Sequence, residues 1–183
     1  MLGQFTYWFF FILLAGCSTI NAPATDNLKL RDAADARIDL GLGYLTTAQP
    51  QSAEKNLRLA LEYQPKYSRA VAAMAYYYSY IGEVELAWQQ YQQALTLKPL
   101  SGKIFNNYGV FLCQQQAFTE AMIYFEKAVL DERYQNKAES LENAGVCSLK
   151  AGNMASATHF FQRALRREPH LVVAKKQLAL IEQ

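Results

Sequence analysis

Several things are scarce in this chain. Residues 1–16 contain neither lysine nor arginine, and the whole chain of 183 residues has 9 glycines, 5 prolines, 3 cysteines and 2 histidines. His159 and His170 stand close together late in the chain, with no cysteine cluster beside them, so no metal set is expected. No glycine-rich phosphate loop, H-E-x-x-H or G-x-S-x-G string occurs, so no catalytic residue is nominated and a binding role is favoured over an enzymatic one. A net charge of +2 argues against a nucleic-acid partner. The long apolar stretch, Phe5 to Leu14, covers about ten residues, where a membrane-spanning helix takes roughly 20. Scarce glycine and proline beside abundant alanine, leucine, glutamine and tyrosine point to an all-helical chain.

The apolar stretch has the length and place of a signal peptide's hydrophobic region. It ends in Leu14, Ala15, Gly16 and Cys17, which resemble the lipobox of bacterial lipoproteins. That resemblance implies cleavage before Cys17, lipid on its thiol and an acylated new amine. Residues 1–16 are then a signal peptide and 17–26 a lipid anchor and tether. Ser18 follows where an aspartate is absent, which by the same resemblance points to the outer membrane, periplasmic face. The missing basic residues depart from the usual start of such a signal. The competing reading is a buried apolar element with an incidental cysteine.

What is present in abundance is a repeat. Ala53, Ala87, Ala121 and Ala157 lie 34, 34 and 36 residues apart, and Ala60, Ala94, Ala128 and Ala164 repeat those intervals. Bulky Leu57, Tyr91, Phe125 and Phe161 sit between them at a constant offset. Pro65, Pro99 and Pro169 close three units, with Arg133 in the place of the fourth proline. Small residues recur at Gly41, Ala75, Gly109 and Gly145, where paired helices must approach closely. The pattern resembles the tetratricopeptide repeat. It implies an all-α right-handed superhelix of four helix–turn–helix repeats at about 34–67, 68–101, 102–137 and 138–171, with a capping helix at 172–183, in one domain spanning 27–183. The third unit is two residues longer, around "LDERYQNKAE", and that insert is expected in the connection to the fourth.

Cys113 and Cys147 each sit late in the first helix of a unit. Facing helices lie about 8–10 Å apart, close enough for the roughly 4.4–6.8 Å between alpha-carbons that a disulfide requires. In an oxidising compartment the two are expected to pair; in a reducing one they would be buried thiols.

In the tetratricopeptide family the first helices line a concave groove that holds an extended peptide or a partner helix. The resemblance assigns to it Arg69, Tyr76 and Tyr80 from unit two, Lys103, Asn106, Asn107 and Val110 from unit three, and Asn143 and Val146 from unit four. Asparagine is a poor interior helix residue, and an amide can donate to and accept from a peptide backbone at once. Asn107 and Asn143 match the place where the family often carries a peptide-binding asparagine. The alternative is that these asparagines bond a neighbouring turn or water. Arg163, Arg166, Arg167, Lys175 and Lys176 read as a solvated face, with anionic lipid or an acidic partner as the other possibility.

"NNYGVFLC" and "ENAGVCSLKAG", on such repeats behind a lipobox, resemble the type IV pilus biogenesis lipoproteins, the secretin pilotins of the PilF/PilW type. The resemblance implies promotion of secretin multimerisation and localisation and of pilus stability. Its partner would be a secretin subunit or another pilus-assembly protein, and no cofactor is implied besides the covalent lipid on Cys17. Two other readings stay open: a general periplasmic adaptor lipoprotein that scaffolds cell-wall hydrolases or protease complexes, and the assembly lipoprotein of tight-adherence pili.

Overall fold

The structure, a computed structural model, describes residues 22–182. The segment expected to be a signal peptide (1–16), Cys17 with its expected lipid, and the first part of the expected tether lie outside the described residues. Those described form helices only: α1 (Ala22–Thr46), α2 (Pro50–Tyr63), α3 (Ser68–Tyr80), α4 (Val84–Thr96), α5 (Gly102–Gln114), α6 (Phe118–Leu130), α7 (Lys137–Lys150), α8 (Met154–Arg167) and α9 (Val172–Ile181). Successive pairs α1/α2, α3/α4, α5/α6 and α7/α8 stack, and α9 packs on α8 and touches α7. This is an all-α tetratricopeptide superhelix with a terminal helix.

The two alanine ladders explain the pairing. Ala53, Ala60, Ala87, Ala94, Ala121, Ala128, Ala157 and Ala164 are all fully buried, as are Leu57, Tyr91 and Phe161. Each bulky side chain of a second helix lies over the small residue of its own first helix. A Cβ added at Gly41 would meet Leu57 at 2.8 Å, one at Gly109 would meet Phe125 at 2.9 Å, and one at Gly145 would meet Phe161 at 2.5 Å. Contact this close admits no larger residue, so the small positions set the distance between helices. Burying each large side chain contributes about 1.5–3 kcal/mol.

One boundary differs from the sequence reading. Helix α1 begins at Ala22, inside the stretch assigned to the tether, and runs for 25 residues. The physical reason is packing along its first half. Gln64 Nε2 donates to Asn27 Oδ1 at 2.8 Å, the Arg31 guanidinium lies 4.0 Å from the Tyr67 ring centre, and Tyr67 Oη donates to Asp35 at 2.7 Å. Pro23 is compatible with a first turn, where no backbone N–H is needed.

The insert of the third unit does fall between α6 and α7, and it folds back on the start of α5. The backbone N–H of Gly102 donates to Asp131 Oδ2 at 2.7 Å, and that of Arg133 to Asp131 Oδ1 at 3.1 Å. Tyr134 covers Gly102 so closely that a Cβ there would lie 2.5 Å from it. The Gly102 N–H, then the other donors and Arg133, hold the Asp131 carboxyl below its ordinary range despite partial burial. Burial pushes the Tyr134 phenol up to about 12. A carboxylate at a helix N-terminus satisfies an otherwise orphan donor and meets the positive end of the helix dipole.

Candidate functional site

First helices α1, α3, α5 and α7 share the concave side because each repeat turns the same face inward. Between them lie two confluent hollows. The deeper, of about 360 Å³, is lined by Ile38, Leu42, Arg69, Ala72, Ala73, Ser101, Lys103, Ile104 and Asn107. The wider, of about 840 Å³ and open to solvent, is lined by Leu42, Thr46, Tyr76, Lys103, Asn106, Asn107, Val110, Glu139 and Asn143. Leu42, Lys103 and Asn107 border both, so the two form one groove.

Of the residues nominated from sequence, Tyr76, Lys103, Asn106, Asn107, Val110 and Asn143 meet in the wider hollow, and Arg69 borders the deeper one. Two do not line it. Tyr80 stands at the end of α3, 46% exposed. Val146 is half-buried against the cluster of Ala157, Phe161 and Ala174, where it seats the terminal helix. Leu42, Thr46 and Glu139 were missed. Their signal was available: one repeat back from Tyr76 and Tyr80 lie Leu42 and Thr46, and Glu139 is the counterpart of Lys103 in the longer unit.

Asn106 also departs from expectation. It is 3% exposed, and its Oδ1 accepts from Ser140 Oγ at 2.9 Å and from Asn143 Nδ2 at 3.1 Å. Half of its amide therefore joins α5 to α7 and only the Nδ2 group remains for the groove. A buried amide without such partners would be costly, which is why the pairing forms. Asn107 differs: it is half-buried and its side chain enters no hydrogen bond among the described residues. The Asn143 oxygen is likewise uncommitted after its nitrogen has donated to Asn106.

Charge in the groove is small and local. The Arg69 guanidinium is held by Asp35 and Asp39 of α1, so its charge is spent inside the protein. Lys103 is exposed and makes no ion pair among the described residues, while Glu139 accepts from Asn136 at 3.1 Å. An aliphatic floor with free amides and one lysine on its rim suits the backbone and neutral side chains of an extended chain.

Behind the groove, Cys113 of α5 and Cys147 of α7 form a disulfide with alpha-carbons 5.8 Å apart. Together with Asn106 and the Asp131 contact to Gly102, it fixes α5 at its end, middle and start.

Comparison with known proteins agrees with this geometry. The tetratricopeptide-repeat family model matches residues 72–138. An uncharacterized protein of Haemophilus influenzae is 35% identical over 133 residues, covering 73% of this chain and 74% of its own. The type IV pilus assembly protein PilF of Pseudomonas aeruginosa is 38% identical over 157 residues, 84% of this chain; the chain spans 62% of that protein's length. Among solved structures, Pseudomonas aeruginosa PilF superposes with a TM-score of 0.77 at 33% identity, covering 84% of this chain and 69% of that one. PilW, described as a widely conserved type IV pilus biogenesis factor, superposes at 0.73 with 32% identity, covering 81% and 68%. On its repeats, its groove and these relatives, the chain belongs to the PilF/PilW family of tetratricopeptide-repeat proteins.

Proposed function

We propose that this chain is an outer-membrane lipoprotein of the periplasmic face, held by lipid on Cys17, that grips a segment of a secretin subunit in its concave groove. By doing so it promotes secretin multimerisation and localisation, and with them type IV pilus biogenesis and stability. The observation that carries the reading is the convergence of Asn107 and the Asn143 oxygen, both uncommitted, on a floor of Leu42, Tyr76 and Val110. An extended segment presents backbone donors and acceptors in alternation, and uncommitted amides can meet both. Membership of the pilus-related family supports the choice of partner.

The lipid has a physical part in this reading. Several acyl chains on one residue anchor firmly, and confinement to the membrane surface raises the effective concentration of a membrane-bound partner. Modest groove affinity then suffices.

The test is complementation of a deletion strain. The wild-type chain should restore heat-stable secretin multimers and surface pili. Asn107→Ala with Asn143→Ala should leave the protein abundant but reduce multimers at least several-fold. Normal multimers and pili in the uncomplemented deletion strain would defeat the proposal. Recovery of cell-wall hydrolases, without secretin, on detergent-extracted lipidated protein would favour the general adaptor reading.

A further inference from the structure

Among the described residues, several aromatic rings are faced by cations of the chain itself. The Arg31 guanidinium lies 4.0 Å from the Tyr67 ring centre, and Tyr67 Oη donates to Asp35. The Arg163 guanidinium lies 5.4 Å from the Phe160 ring centre while pairing with Glu126. Lys127 Nζ stands 4.4 Å from the Tyr124 ring centre. Trp88 has no such cation, and it borders a cleft with an acid. It is 39% exposed, the carboxylate of Glu85 borders the same cleft, and no cation of the described residues lies over its ring.

The cleft lies away from the groove, between α4 and the α5–α6 turn. It is open to solvent, of about 710 Å³, and is lined by Val84, Glu85, Trp88, Gln89 and Gln115. Trp88 is held from behind, with ring centres 6.2 Å from Tyr108 and 6.0 Å from Phe111, so its orientation is set before any ligand arrives. Glu85 makes no hydrogen bond or ion pair among the described residues, and neither do the side chains of Gln89 and Gln115. Glu85 sits in the first turn of α4, where a carboxylate also suits the helix dipole. That role leaves its outward oxygen lone pairs available.

We propose that the Trp88 cleft is a second binding site, which receives an arginine side chain from a basic segment of a partner protein. The guanidinium stacks on the indole, Glu85 accepts its N–H groups, and the Gln89 and Gln115 amide oxygens accept those left over. Tryptophan is the best aromatic partner for a cation, and a planar guanidinium both stacks and bonds a carboxylate through its fork. Charge complementarity selects this occupant: Glu83 and Glu85 are exposed acids without ion pairs, which favours a basic segment over an acidic one or an anionic lipid surface.

The test uses the chain from Cys17 onward in detergent micelles with nitrogen-15 in the indole group; loss of the signal in Trp88→Phe assigns it to Trp88. The probes are two capped peptides, Gly-Leu-Arg-Leu-Gly and the same sequence with citrulline, the neutral isostere, for arginine. The arginine peptide should shift the Trp88 indole signal saturably and the citrulline peptide should not. Glu85→Gln should weaken binding about fivefold or more, and Asn107→Ala should leave it unchanged. Equal shifts with both peptides, no shift with either, or a response indifferent to Glu85→Gln would overturn the proposal. A signal that moves with protein concentration alone would give the cleft to a second copy, and one that moves with anionic micelles would give it to a lipid surface. Either outcome rejects the arginine assignment.

Discussion

The α1–α3 wall of the groove and the α5–α7 wall have the same repeat geometry but are fastened by different chemistry. Between α1 and α3 the ties are polar and partly wet: Arg69 pairs with half-buried Asp35 and with Asp39, whose side chain is 64% exposed. Between α5 and α7 they are covalent or buried: the Cys113–Cys147 disulfide and the Asn106 bond to fully buried Ser140. Asp131 adds a clamp at the start of α5. Exposed ion pairs are weak and screened by salt, whereas buried bonds and cross-links are not. The difference teaches that a repeat fixes where helices go but leaves open how firmly each is held. Here the firm wall is the one that carries Asn107 and Asn143, where the proposed backbone recognition would need fixed geometry.

The largest effect should come from cutting the covalent tie. Cys113→Ser with Cys147→Ser removes a cross-link spanning 34 residues, and should cost about 3–4 kcal/mol in denaturant unfolding. The stability of the firm wall should fall most, as hydrogen exchange of α5 and α7 would show. Next comes close approach within a pair. Gly145→Ala drives a Cβ to within 2.5 Å of the Phe161 ring and should destabilise by about 1–3 kcal/mol. Gly43→Ala, with nothing within 4 Å, should instead stabilise by about 0.5–1 kcal/mol.

Asp131→Asn weakens the clamp and should cost about 1 kcal/mol at neutral pH. Because the folded carboxyl titrates below its unfolded value, its contribution is complete above the ordinary aspartate range and disappears as pH falls through the folded value. The stability gap between wild type and Asp131→Asn should therefore close in acid; a gap that widens there would break the clamp argument. Smallest is the wet wall. Arg69→Ala should cost only about 0.2–1 kcal/mol, and the loss should shrink in high salt, whereas the disulfide effect should not.

Most of the scaffold was legible because the repeat is strict. The alanines and their bulky companions keep one interval through α2, α4 and α6, and the two-residue offset reveals itself as a uniform shift in α8. The groove was legible by register too: Tyr76 and Val110 stand at equivalent turns of successive first helices, and so do Asn107 and Asn143. Leu42 and Thr46 were overlooked because that register was not carried back into α1. Features outside the period could not be read from it. Asp131 reaching Gly102, Tyr134 covering the same glycine, and Asn106 turning inward to Ser140 depend on how an insert folds and on which amide partner lies nearest. Val146 was placed correctly on its helix and on the wrong neighbour, since α9 claims it.

The most direct test of the groove is site-specific photo-crosslinking in living cells, with a photoreactive phenylalanine at position 110 on the groove floor or at position 123 on the exposed surface of α6, where Ile123 is 51% exposed. A covalent adduct with the secretin from position 110 and none from position 123 is the predicted result. An adduct from position 123 alone would place the partner on the outside of the stack and contradict the account.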